Sequence, residues 1–228
     1  MIGAVGEVIV VIVGPQDAVH PSTVQVRPAL TTTLGLAPAD GRVLWRSEGF
    51  AASGIVDGFV LGHRAFTVPG IGPGHPGVID GATGRALQIE GLEPTAVGIW
   101  SIGSSGHSVV SPRQPQGRPS AGPRLVDLTA GRVVREFPKS AQHADVGTDS
   151  DGAAVAFWSG YTQRVDEPAP VRIPDSVTSA VALRRGVLWN RTGPPTDRSG
   201  RPVGQPVGRV SEVTERYLVT DSGVHRFE

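Results

Sequence analysis

Arginine dominates the side chains of this 228-residue chain that could do chemistry; of its 21 basic residues only Lys139 is a lysine. Arg113, Arg118, Arg124, Arg191, Arg198 and Arg201 fall in or beside Gly/Pro-rich stretches, as do Arg27, Arg164, Arg172 and Arg209. A guanidinium makes bidentate contacts to carboxylate or phosphate, so an exposed set points to an anionic partner. The plain alternative is solubilising charge on loops. Other chemistry is sparse. There is no cysteine, hence no disulfide, thiolate metal site or Cys nucleophile. The six histidines (His20, His63, His75, His107, His143, His225) are scattered, with no pair at a ligand-like short spacing. The stretch DVGTDSDG brings Asp145, Asp149 and Asp151 together. Its spacing departs from the calcium loop of an EF-hand, and it reads as hairpin-turn chemistry. No zincin, phosphate-loop, nucleophile-elbow or dinucleotide motif is present. Asn190-Arg191-Thr192 fits the bare glycosylation tripeptide. No catalytic, metal or cofactor residue is assigned.

The elements that hold these residues are short strands. The 31 glycines and 20 prolines interrupt long helices, while Val, Ile, Leu and Trp recur in short blocks. The longest apolar run, EVIVVIV (7–13), is far too short to span a bilayer. It lacks a basic leader and a cleavage site, so it reads as a buried strand. A start at Met1 implies a cytoplasmic protein; a signal upstream of it would imply export. Net charge is zero, which gives no global field for nucleic acid or an anionic membrane.

One unit returns. LAPADGRVLWRSEG (36–49), VIDGATGRALQIEG (78–91) and LVDLTAGRVVREFP (125–138) each place a strand, a turn ending in Gly and a second strand in fourteen residues. The turn glycines Gly41, Gly84 and Gly131 are 43 and 47 positions apart. Periods of 40–50 built from short strands indicate β-propeller blades of four antiparallel strands, A to D. A β-sandwich is the competing fold, but it has no reason to repeat a turn at constant spacing. The expectation is an all-β chain of about five four-stranded blades, roughly 1–49, 50–91, 92–139, 140–176 and 177–228, closed or as an open partial propeller. The A–B turns fall at Asp57-Gly58, Ser105-Gly106, Asp151-Gly152 and Arg185-Gly186. The first blade shows no A strand before EVIVVIV, and RYLVT near the C-terminus is expected to complete it and close the ring. Trp45, Trp100, Trp158 and Trp189 are expected to pack between blades.

In such meanders the A–B and C–D turns share one end, and the B–C and D–A connections share the other. The long stretches 14–29, 68–77, 111–123 and 190–208 all read as B–C. The ten arginines above therefore fall on one shaggy face, against Asp17, Asp166, Glu167 and Asp197.

The phrase APADGRVLWRSEG resembles the repeat of the pyrroloquinoline-quinone-like propellers, with Gln88 and Arg135 at the Trp45 position in the next two copies. The resemblance implies the propeller scaffold. It does not carry over the quinone: dehydrogenases of that group bring an acidic calcium site and usually a vicinal disulfide, and this chain has no Cys and a single Asn. No cofactor is expected. The functional expectation is a non-enzymatic scaffold binding an acidic protein surface or other anionic ligand through long loops, with no specific nucleic acid and no membrane span. The alternatives are a propeller enzyme of lyase or glycosidase type, or a propeller segment of a larger secreted or sensor protein.

Overall fold

The structure is a computed structural model and describes residues 2–14, 30–64, 74–93, 98–112, 121–141, 144–158, 160–174, 180–213 and 217–227. Every regular element among them is a β-strand, and no helix is long and apolar enough to cross a membrane. Four sheets have four strands, each following the chain as an antiparallel meander. The first sheet is β1 (Gly3–Val5), β2 (Val8–Val13), β3 (Thr32–Leu36) and β4 (Val43–Glu48). The second is β5 (Phe50–Val56), β6 (Phe59–Arg64), β7 (His75–Asp80) and β8 (Ala86–Leu87). The third is β9 (Gly98–Ser104), β10 (His107–Pro112), β11 (Arg124–Asp127) and β12 (Arg132–Glu136). The fourth is β13 (Asp145–Thr148), β14 (Ala154–Trp158), β15 (Tyr161–Arg164) and β16 (Val171–Arg172). A fifth sheet pairs β17 (Ala180–Arg184) with β18 (Val187–Asn190), and a sixth holds β19 (Val210–Val213), β20 (Tyr217–Thr220) and β21 (Gly223–Arg226). The all-β, blade-type architecture read from the repeats is the observed one. Residues 177–228 supply two sheets rather than one.

Two compact units are distinguishable, Met1–Ile102 with Gly106–Lys139, and Ser140–Glu228 with Gly103–Ser105. Within the first unit the cores lie between successive sheets. Val8 and Val10 of the first sheet meet Phe50, Val60 and Ile79 of the second. Leu61 and Val78 meet Trp100, Val110 and Val126 of the third. Strand alternation explains this, because each sheet must bury both faces and supplies apolar residues to both. In the second unit, Val155 and Phe157 of the fourth sheet pack with Leu183 and Leu188 of the fifth.

The turn glycines take the backbone shape their sequence implies. Gly41, Gly84 and Gly131 have φ of 70°, 73° and 66°, a region costly for residues with a Cβ. The tryptophan reading also holds in the first unit. Trp45 lies over Gly35 of its own sheet, where a Cβ would come within 2.2 Å of the ring, and against Gly84 of the next sheet. Its indole N–H donates to the Gly81 carbonyl at 3.0 Å. Trp100 does the same from the third sheet, donating to the Gly62 carbonyl at 3.1 Å.

Two strand expectations are corrected. The first sheet has its own A strand, β1, joined to β2 through a Gly6-Glu7 turn. RYLVT does not complete that sheet: its strand, β20, is paired on both edges, by β19 and β21. The long stretches are also shorter than expected at their ends, since His75–Gly77 belong to β7 and Ser111–Pro112 to β10.

Candidate functional site

The fifth sheet contains a fourth copy of the repeated turn. Thr196 bridges β18, and Pro202 bridges Thr196. These single bridges stand where strands C and D stand elsewhere. Between them, Asp197 N–H donates to the Arg201 carbonyl at 2.8 Å and Gly200 N–H donates to the Asp197 carbonyl at 3.0 Å. In the second sheet Asp80 and Gly84 do likewise, Asp80 N–H to the Arg85 carbonyl and Gly84 N–H to the Asp80 carbonyl. In both turns one Asp oxygen collects the donors of the following residues: Ala82 N–H and Thr83 N–H and O–H on Asp80, Ser199 N–H and O–H and Arg201 N–H on Asp197. Thr83 holds the Asp80 carboxyl below its usual range. Burial pulls Asp197 upward, but the Ser199 and Arg201 bonds outweigh it and leave it lowered. Gly200 has φ 83°. The segment TDRSGRP is therefore the C–turn–D unit with its strands reduced to one rung each.

This placement moves several arginines. Arg198 and Arg201 sit on a C–D-type turn, not in a B–C loop. Arg164 ends β15, and Asp166 and Glu167 occupy the C–D connection of the fourth sheet. All five residues belong to the tight-turn ends of their sheets, where the A–B turn carrying Asp149 and Asp151 also lies. The result is an ion network. Arg164 reaches Asp149 at 3.2 Å, Asp151 at 2.9 Å and Asp166 at 3.0 Å. Arg198 reaches the same Asp149 oxygen at 3.0 Å and Glu167 at 2.5 Å. The side chains of Arg198 and Asp149 are only 18% and 15% exposed.

Electrostatically Asp151, Asp166 and Glu167 are held as anions. Arg164 hydrogen bonds hold Asp151 and Asp166 low. Burial pulls Glu167 upward, but the Arg198 bond and the Arg164 backbone N–H outweigh it and leave it lowered. Such groups cannot donate protons near neutral pH. The cluster is a fastener, not an acid–base pair. Asp145, the remaining member of the acidic stretch, is elsewhere: burial pushes it up to about 6, against a Val146 N–H bond and the Arg184 charge. Three further features are seen among the described residues. No group of three or more His, Asp or Glu side chains could hold a metal ion. His63 faces the Gly98 carbonyl at 2.9 Å, and burial lowers its pKa. Trp158 stacks on Tyr161.

Arg191, Arg201 and Arg209 are exposed, as are Arg172, Arg185 and Arg226 in the same unit. The backbones of the first three are fixed. The Arg191 carbonyl accepts Val210 N–H at 2.9 Å, so Arg191 and Arg209 lie side by side in the chain path. The Arg209 carbonyl accepts Asp221 N–H at 3.0 Å, and Arg209 N–H donates to the Asp221 carboxylate at 3.1 Å. Arg201 donates to Asp197. Charge is segregated along this unit: residues 180–228 carry eight arginines and five carboxylates, while 140–179 carry six carboxylates and two arginines. Arg124 is half-buried; it donates to the Gly91 carbonyl at 3.2 Å and lies 3.9 Å from Glu136. Arg113 and Arg118 lie outside the described residues.

No family model matches the chain, and no curated protein matches its sequence. Among solved structures, it is similar to BamB from Moraxella catarrhalis, at 16% identity, covering 85% of this chain and 62% of that one, with a TM-score of 0.41. It is also similar to apo AztD from Citrobacter koseri, at 14% identity, covering 86% and 80%, with a TM-score of 0.34. The chain thus spans less than two thirds of the first protein's length, and neither superposition carries an inference about function.

Proposed function

We propose that this protein is a non-enzymatic binding scaffold of propeller-type blades that takes an anionic partner on its exposed arginines. The observation that carries the reading is the contrast within 180–228. Arg198 is consumed by the ion network, whereas Arg191, Arg201 and Arg209 stand in solvent on backbones held by hydrogen bonds. Side chains on a fixed frame lose less freedom on binding than those on a free loop. Arg113, Arg118 and Arg124 belong to the same proposal as basic residues in or beside the 111–123 stretch.

The test is titration with polyglutamate, a polyanion that presents carboxylates without other chemistry. Wild type binds, and Arg191→Gln, Arg201→Gln and Arg209→Gln together weaken binding about tenfold or more, with the melting temperature within ~1 °C because exposed charges add little to folding. Equal binding by both proteins would leave the arginines as solubilising charge.

A further inference from the structure

Among the described residues, Arg64 is a half-buried arginine with no counter-charge. The other half-buried arginines all have partners. Arg124 lies by Glu136, Arg164 and Arg198 share Asp149, Arg184 lies by Asp145, and Arg135 is also engaged. Arg64 makes neither a hydrogen bond nor an ion pair among the described residues. Burial lowers its pKa, and no neighbouring charge raises it.

Its surroundings are nevertheless shaped for a guanidinium. Arg64 ends β6, paired with Phe50 on one side and His75 on the other. Paired residues point the same way, so Phe50, Arg64 and His75 share one face of the second sheet. Phe50 is fully buried, and its ring carries the guanidinium, with Arg64 Cζ 5.4 Å from the ring centroid. That is within reach of a cation–π contact. Gly77 clears the space beneath both. A Cβ there would fall 3.1 Å from the Phe50 ring and 3.2 Å from Arg64 Cγ. Gly77 has no left-handed φ, so what matters at this position is the missing side chain. A ring against the guanidinium's face leaves its N–H donors unused.

The acids of this sheet are elsewhere. Asp80 pairs with Phe59, five residues before Arg64 and roughly 17 Å along the strand. Asp57 stands at that same far end, in the turn before Phe59. Glu48, two positions before Phe50, is exposed and meets Arg46 at 3.0 Å. From Leu61 to Ile79 the sequence holds no Asp or Glu. Taking a cation partly out of water without a partner is costly. Leucine or methionine would cover Phe50 without that cost, so packing alone does not account for an arginine here.

We propose that Arg64, standing on Phe50 beside His75, binds a small oxyanion, a carboxylate or phosphate group that supplies the missing counter-charge. Two oxygens lie side by side against the guanidinium fork, and His75 borders the bound group. This goes beyond the arginine reading. The site lies in the first unit, takes one small anion rather than a polyanion, and uses none of Arg191, Arg201 or Arg209.

The probes are acetate and inorganic phosphate, titrated separately into the full chain against chloride at matched ionic strength. Nuclear magnetic resonance reads the Arg64 Nε–H and the amides of Phe50, Arg64 and Gly77. At least one oxyanion gives saturable shifts there that chloride does not reproduce. Arg64→Met keeps an unbranched apolar cover on Phe50 and weakens that binding about tenfold or more, the loss expected of a charge-assisted bidentate contact. Arg64→Gln does the same and serves if the methionine variant does not fold. Replacing Arg191, Arg201 and Arg209 together leaves the shifts unchanged, which separates this site from the polyglutamate surface. Tighter acetate binding assigns a carboxylate ligand, and tighter phosphate binding a phosphoryl group. Shifts that do not saturate, shifts that chloride reproduces, or saturable shifts that persist in the Arg64 variants would each overturn the proposal.

Discussion

Trp45 and Arg198 do the same job in different units by different physics. Each reaches out of its own sheet and fastens a neighbour. Trp45 crosses from the first sheet to the Gly81–Gly84 turn of the second, where burial of an indole and one N–H bond hold it. Arg198 crosses from the fifth sheet to two acidic turns of the fourth, where Asp149 and Glu167 hold it. Apolar docking is indifferent to pH, salt and the charge of what lies nearby. An ionic clamp depends on all three. The clamp also leaves the arginine Nε buried without a hydrogen-bond partner, a cost the indole does not carry. The second unit is thus the one whose cohesion is open to its surroundings, and it also carries the exposed Arg191, Arg201 and Arg209.

The largest effect expected from breaking this contrast is at the apolar fastener. Trp45→Ala should cost roughly 3–5 kcal/mol, the usual range for emptying a large aromatic site, read as a drop in the denaturation midpoint. A loss below about 1 kcal/mol would mean the ring is not a structural link. The two turn glycines sharpen the same point. Gly41→Val meets open space and carries only the strain of positive φ, about 1–2 kcal/mol. Gly84→Val adds a collision, because a Cβ there falls 2.5 Å from the Trp45 ring. The Gly84 variant should be the less stable by at least ~1 kcal/mol, and equal losses would contradict the docking.

Next in size is the ionic fastener. Arg198→Ala should cost about 2 kcal/mol, less than the loss of a fully buried pair because Arg164 still faces Asp149. Acid should reproduce part of that loss without mutation. Asp151, Asp166 and Glu167 have folded-state pKa values below their unfolded ones. Their contribution is present above about pH 4 to 4.5, the unfolded range. It is lost as pH falls further and they take up protons. Hydrogen-exchange protection, each rate taken relative to the intrinsic rate at that pH, should therefore fall in β13–β18 between pH 7 and pH 3 while the amides around Trp45 keep theirs. A uniform fall in both units would erase the contrast.

The smallest effect has the opposite sign. Asp145 has its folded pKa raised to about 6, so its protonated form is favoured by folding and stability is lost as pH rises through 6. Asp145→Asn should be neutral near pH 3.5 and stabilising by at least ~1 kcal/mol at pH 8. Destabilisation at both values would show that the Arg184 attraction outweighs burial.

Much of the scaffold was legible because turns announce themselves. Gly41, Gly84 and Gly131 mark C–D turns, and Asp57-Gly58, Ser105-Gly106 and Arg185-Gly186 mark A–B turns in which both residues have positive φ. What was hidden lacked that punctuation or the apolar run beside it. Strand β1 is Gly3-Ala4-Val5, with two small residues and no alternation to read. The fourth sheet turns through Asp166 and Glu167 without a glycine, using the Glu167 carboxylate on Arg164 N–H instead. The strands flanking Asp197 are single rungs at Thr196 and Pro202, too short for any periodicity, although Asp197, Gly200 and Arg201 repeat the signature of Asp80, Gly84 and Arg85. The ion network was beyond reach for another reason. Arg198 and Asp149 are 49 positions apart, and spacing that long carries no register information. Counting arginines by loop therefore put Arg164 and Arg198 among the free charges, when folding spends both.

The direct test of the central claim, that the arginines left in solvent hold an anionic partner while the networked ones only hold the fold, is amide chemical-shift mapping during a polyglutamate titration. The account predicts shifts at Arg191, Arg201 and Arg209 and their neighbours, which recede as salt rises, with Arg164, Arg198 and the Trp45 and Trp100 indoles unmoved. Shifts centred on Arg164 and Arg198, or none in 180–213, would contradict it.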